Sequence, residues 1–317
     1  MRYNLNSGYG QMLAAQLKGA GVSGKVFVVG DSSTANIDML KEIFIPDPDG
    51  EVRYYATVDA AISACTANAG DVILIAPGHA ETVTATSIAL DVAGVTILGL
   101  GNGLNRPTFT YGAAAATVTV SAANCTWKNC HFIGNFDNVA AAFTLAAAKD
   151  FTLEGNTFDD VSTILHFVSI VVTSAVAQRA EGLRVLGNTW NGLAVAPNAF
   201  VSILEANDRV KINDNVVFMD ATNDVGHFVT LAAFIVLEFE CKNNRLIVVG
   251  ANDAAVGIFL TGSGSTSKGI VENNYVSSLD TTGELIATAG TGLVYFENYY
   301  TGVADKSGKL WPAVDAA

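Results

Sequence analysis

One short pattern returns through the second half of the chain and constrains the fold more than any other feature. It is an apolar residue, a second one two later, Asn at the fifth offset and a bulky residue at the seventh. It reads FTLEGNTF, LRVLGNTW, VKINDNVV, FECKNNRL, GIVENNYV and LVYFENYY. The fifth-offset residues are Asn156, Asn188, Asn215, Asn244, Asn274 and Asn298, and CTWKNCHF puts Cys130 at the same place one copy earlier. Successive spacings are 26, 32, 27, 29, 30 and 24 residues.

A period of that size, with alternating apolar positions, suits three short strands and their turns stacked coil on coil at about 4.8 Å. Variation in spacing then belongs to the loops. The predicted fold is an all-β solenoid: a right-handed single-stranded parallel β-helix of about eight coils, about 40 Å long. Phe151 and Leu153, Leu183 and Val185, and Val210 and Ile212 should point inward between exposed neighbours. Asn suits the repeated position because it tolerates the left-handed conformation of a sharp bend, and because its amide can bond to the equivalent amide one coil on. Cys130 cannot continue such a ladder. A β-sandwich has frequent turns too, but its strands need not repeat one motif.

Solenoid ends need caps. Residues 1–56 read as a small α/β attachment or capping region, 57–300 as the β-helix with its capping helix, and 301–317 as a C-terminal cap or tail. In TVDAAISAC, Val58, Ala61, Ile62 and Cys65 share one helical face, and GDVILIAPGH follows as strand then turn.

Half of the residues are hydrophobic, and only 15% are charged, yet 30 acids face 17 bases for a net charge of −13. Such a surface repels phosphate backbones, so no nucleic-acid partner is expected. The most apolar run, Ile164 to Ala177, is interrupted by His166, Ser169, Thr173 and Ser174; it reads as buried strands, and no membrane association is expected. The opening residues lack the apolar core of a secretion signal, which points to synthesis in a cytoplasm. Cys65, Cys125, Cys130 and Cys241 form no CxxC pair and read as free, buried thiols.

The stretch from Thr57 to Glu81, a T-V-x-A-A-I helix followed by G-D-V-I-x-I-x-P-G-x-x-E, resembles the opening of pectate-lyase-like β-helix proteins, which place this helix over the end of the coil. The longer KVFVVGDSSTANIDMLKEIFIPDPDGEVRYYATVDAAISAC resembles a group of tailed-bacteriophage β-helix proteins of the virion. That likeness covers about the first 110 residues and, more loosely, the Asn-bearing coils and the closing LWPAVD. It implies a non-enzymatic virion protein made in the host cytoplasm: a capsid decoration or stabilisation protein, homotrimeric, seated on the major capsid protein. It carries over no catalytic residue. The alternative is a tail spike or fibre that binds a host glycan, with or without depolymerase activity.

Several motifs offer chemistry and are better explained structurally. VFVVGDSST, with Gly30, Asp31 and Ser32, resembles the nucleophile block of SGNH hydrolases; Gly250 to Asp253 matches a G-x-N-D block, and Asp224 with His227 a D-x-x-H block. That family places D-x-x-H last, whereas here it precedes G-x-N-D, so Asp31 and Ser32 read as a turn or cap. Glycan cleavage needs two carboxylates roughly 5 to 9.5 Å apart. With the asparagines in register, Asp159 lies between Ile133 and Asn191, while Glu154 adjoins Lys128, Glu240 adjoins Lys211 and Glu272 adjoins Lys242.

Asp47 and Asp49 in PDPDG fit a tight turn better than a calcium loop. His79, His131, His166 and His227 are scattered, and Tyr275, Tyr299, Tyr300 and Trp311 fit a C-terminal cap or a contact surface. No catalytic residue, metal or cofactor is expected. The candidate attachment residues are Met12, Leu13 and Leu17, whose apolar face is too small to hold a helix unaided and needs something to pack against.

Overall fold

The computed structural model describes residues 24–30, 53–85, 87–193, 198–220, 227–231, 235–249, 260–261, 267–278, 286–287, 292–301 and 308–309. Met12, Leu13, Leu17, Asp31, Ser32, Asp47, Asp49, Asp224, Gly250 to Asp253 and Trp311 lie outside them. The chain folds as a right-handed parallel β-helix. Among the described residues its strands form three sheets of eleven, ten and eight, and from Val72 to Ala287 successive coils contribute one strand to each sheet. One coil runs Thr126–Lys128 in the first sheet, His131–Gly134 in the second and Phe143–Leu145 in the third.

Side chains of one register position stack along the axis. In the first sheet the inward column is Ile73, Ile97, Trp127, Leu153, Val185, Ile212, Cys241 and Val271. All of these are fully buried, as are Phe151, Leu183 and Val210 from the preceding turns. The second sheet stacks Phe109, Phe132 and Phe158, with ring centroids 5.4 and 5.0 Å apart, and continues through Trp190. Each such side chain contributes about 1.5–3 kcal/mol on burial. The alternation in FTLEGNTF and its repeats is thus the alternation between this core and the outer faces.

The N-terminal end departs from the simple pattern. Strand β1 (Val26–Val29) pairs in parallel with both β2 (Tyr54–Tyr55) and β3 (Val72–Ile75), so the first sheet begins β2-β1-β3. Both strands extend the β-helical sheet, although VFVV carries no copy of the repeat. Helix α1 (Val58–Ala64) then packs Val58, Ala61 and Ile62 into the core. The Thr57 hydroxyl accepts from Ala60 N–H at 3.3 Å, and Glu81 Oε2 accepts from Val58 N–H at 3.0 Å, so two free amides of the first turn are satisfied. Cys65, expected on the buried face, is the C-cap residue and is half-buried, because the helix ends one residue before it. At the other end Gly308–Lys309 pairs antiparallel with Tyr299–Thr301; among the described residues the other strand ladders are parallel.

Candidate functional site

The bend between the first and second sheets holds Asn156, Asn188, Asn215, Asn244, Asn274 and Asn298, each no more than 1% exposed. Each of the first five donates its backbone N–H to Oδ1 of the next, at 2.9–3.0 Å. The side-chain Nδ2 donates to the same Oδ1 and to a main-chain oxygen of the preceding coil; for Asn215 these acceptors are Asn244 Oδ1 at 3.0 Å and Val185 O at 2.8 Å. Every amide is thereby satisfied without water, as burial requires. Cys130 ends the row: its N–H reaches Asn156 Oδ1 at 2.9 Å, but its thiol offers no amide to pass the ladder on.

The sharp bend itself is made one residue earlier than the sequence suggested. The left-handed residues are Asn129, Gly155, Gly187, Asp214, Asn243, Asn273 and Glu297, with φ between 48° and 64°, and none of the six ladder asparagines has positive φ. The ladder position therefore selects Asn for its buried amide, and the preceding position selects residues that tolerate the left-handed turn. A second set of left-handed residues, Asn124, Asp150, Gly182, Arg209 and Glu238, precedes the first-sheet strands at the opposite corner. At the first bend, exposed amides add an outer row beside the buried one: Asn243 Nδ2 donates to Asp214 Oδ1 at 3.1 Å, and Asn273 Nδ2 to Asn243 Oδ1 at 2.9 Å.

On the outer faces, acids meet bases one coil away. Lys128 pairs with Glu154, Lys211 with Glu240 at 3.6 Å, and Lys242 with Glu272 at 3.3 Å. Glu181 takes Lys149 at 2.9 Å and Arg209 at 3.1 Å, and these hydrogen bonds hold its carboxyl below the usual range. Asp159 sits between Ile133 and Asn191 in register. His131 Nε2 lies 2.6 Å from one of its oxygens and Asn191 Nδ2 donates to the other; the His131 hydrogen bond, chiefly, lowers the Asp159 pKa against the effect of partial burial. Asp160 is turned inward and buried, and its two oxygens accept from Phe167 N–H at 2.9 Å and Leu193 N–H at 2.8 Å.

Sequence reasoning missed Arg106, whose guanidinium bonds Asn129 Oδ1 at 2.9 Å, Gly155 O at 3.0 Å and the Thr157 hydroxyl, tying three coils together at the bend. It also missed Asn207 and Ser267, buried acceptors for Ala180 N–H at 2.8 Å and Val236 N–H at 3.1 Å at the other corner. All four cysteines are free thiols. Burial, first of all, pushes Cys65 and Cys130 up to about 12. His79 is buried with Nε2 3.3 Å from Glu81 Oε2, and His166 is buried with Nδ1 3.2 Å from Phe167 O. Tyr275 lies under the Arg245 guanidinium at 5.3 Å and is in register with the exposed Tyr299. Among the described residues, no three His, Cys, Asp or Glu side chains gather as metal ligands, and no helix is long and apolar enough to cross a membrane.

The described strands and their stacked corners define a right-handed parallel β-helix. No protein-family model matches the chain, and none of the curated proteins does. A solved structure titled rhamnogalacturonan lyase is similar at 12% identity over 91% of this chain and 90% of that chain, with a TM-score of 0.41. A likeness of that strength assigns no activity.

Proposed function

We propose that this chain is a non-enzymatic structural protein of a tailed-bacteriophage virion, a capsid decoration or stabilisation protein that assembles as a homotrimer on the major capsid protein. The observation that supports it is the use of the outward charges. Glu154, Glu181, Glu240 and Glu272 each meet a Lys or Arg of a neighbouring coil, and Asp159 is engaged by His131 and Asn191. Such cross-coil pairs favour one register, while two carboxylates poised across a scissile bond need the opposite arrangement. The segment from Met1 to about Gly24 is the proposed attachment segment, through Met12, Leu13 and Leu17.

Deleting that segment tests the reading. The expected result is loss of binding to particles that lack the protein, with the β-sheet signal and thermal transition retained. A truncated protein that still decorates capsids at full occupancy overturns the attachment segment. Turnover in a panel of ester and polysaccharide substrates, abolished by Ser32→Ala or by Asp159→Asn, overturns the non-enzymatic assignment.

A further inference from the structure

The outer face of the second sheet differs in character from that of the first. Over the last coils, register aligns Val216, Arg245, Tyr275 and Tyr299 in one outward column and Phe218 with Ile247 in the next. Val216 and Tyr299 are exposed, and the Arg245 guanidinium lies over the Tyr275 ring at 5.3 Å. On the same coils the first sheet turns Lys211, Glu240, Lys242 and Glu272 outward. Single exposed apolar residues are ordinary on a protein surface; a stripe of them in sheet register is not.

Asp159 and Arg245 are the only formal charges at outward positions of this sheet's parallel strands, and they cancel. Asp159 is already held by His131 at 2.6 Å and by Asn191, so covering it leaves no unpaired carboxylate. The chain as a whole carries −13, and copies of it repel one another through their acidic surfaces. The second-sheet face lets a like copy approach without that repulsion, and its aromatic and aliphatic side chains have the make-up of an interface core. The third sheet is also uncharged outward, but its column Thr119, Thr144, Val172, Ser202 and Thr230 is mostly hydroxyl groups. The nine parallel strands of the second sheet, ten less the antiparallel Gly308–Lys309, span about 38 Å and are about 13 Å long, so the face covers about 500 Å² in projection. The exposed Phe136, Val161 and Ile164 adjoin it in the turns after His131–Gly134 and Thr157–Asp160, and face and edge together reach the roughly 800 Å² per partner of a stable interface.

We infer that copies of this chain associate with one another through the outer face of the second sheet. Val216, Phe218, Ile247, Tyr275 and Tyr299 form the buried centre of the contact, and the turns bearing Phe136, Val161 and Ile164 form its edge. Sheet faces packed on one another approach to about 10 Å, which buries such side chains between them. The number of copies rests on the homotrimer of the proposed function; the face supplies the contact that such an assembly needs.

Light scattering from the full chain as it elutes from a sizing column tests this. The unaltered chain should run at three chain masses. Val216→Glu and Ile247→Glu each put a like charge on every copy at the contact and should weaken assembly at least about tenfold; together they should give a monomer. Val294→Glu makes the same charge change on the exposed outer face of the first sheet and should leave the mass unchanged. All three side chains reach solvent, and an unchanged circular dichroism spectrum confirms the fold of each variant. A monomer at every concentration overturns the face and the homotrimer together. A dimer dissociated by Ile247→Glu upholds the face and overturns the number of copies. A trimer insensitive to Val216→Glu and Ile247→Glu, or lost equally in Val294→Glu, overturns the face alone.

Discussion

Replacing Asn215 by Ala removes one rung from the middle of the buried ladder. Asn188 N–H loses its acceptor at 2.9 Å, and Val185 O and Asn213 O lose donors at 2.8 and 3.0 Å. Two neighbours are spared: Asn188 Nδ2 keeps Leu153 O at 2.9 Å, and Asn244 Oδ1 keeps the main-chain N–H of residue 215 at 2.9 Å. One wholly orphaned buried donor costs about 1–3 kcal/mol, and the weakened carbonyls and small cavity raise the total to about 2–5 kcal/mol. Because a solenoid couples only neighbouring coils, the damage should centre on the coils around Asn188 and Asn244. Urea unfolding gives the size of the loss, and amide exchange gives its location through the Asn188 N–H. Asn243→Gly is the control: it keeps the left-handed turn, removes only the exposed row, and should cost less than about 1 kcal/mol. An Asn215→Ala shift below about 0.5 kcal/mol, with Asn188 exchange unchanged, would refute the argument that the ladder holds the coils together.

Three further outcomes are expected. Val185→Asp puts an unpaired charge between Leu153 and Ile212 and should cost at least about 3 kcal/mol, seen as loss of the cooperative transition by circular dichroism. The folded Asp159 carboxyl titrates below its ordinary value of 3.8, so its contribution is full above that pH and is lost as pH falls through the folded value; thermal scans should show a fall below about pH 4 that is smaller in Asp159→Asn. Cys130 is buried, and its thiol is pushed up to about 12, so an aromatic disulfide reagent at mildly alkaline pH should label it only on unfolding; rapid labelling of the native protein at Cys130 contradicts the packing.

The ladder register was legible because six copies of one residue type recur where one geometry recurs. The inward residues followed from alternation alone, as Leu153, Val185 and Ile212 show, and the pairs Lys128–Glu154, Lys211–Glu240 and Lys242–Glu272 followed from register. The left-handed position was harder to read. Gly155, Gly187, Asp214, Asn243, Asn273 and Glu297 share a backbone angle and no side-chain chemistry, and Glu297 is not a residue that favours that angle. The Arg106 clamp was hidden because its partners lie 23, 49 and 51 residues away, on the next two coils. The pairing of strand β1 with β2 and β3 was hidden because a four-residue apolar run carries no trace of its partners.

The proposed role as a virion component is tested most directly by locating the protein on intact particles. Immunogold labelling of purified phage, followed by particle averaging, should place it on the capsid exterior as clusters of three rods at symmetry-related positions. Particles free of label, from lysates in which the soluble protein is abundant and cleaves a polysaccharide, would contradict the account.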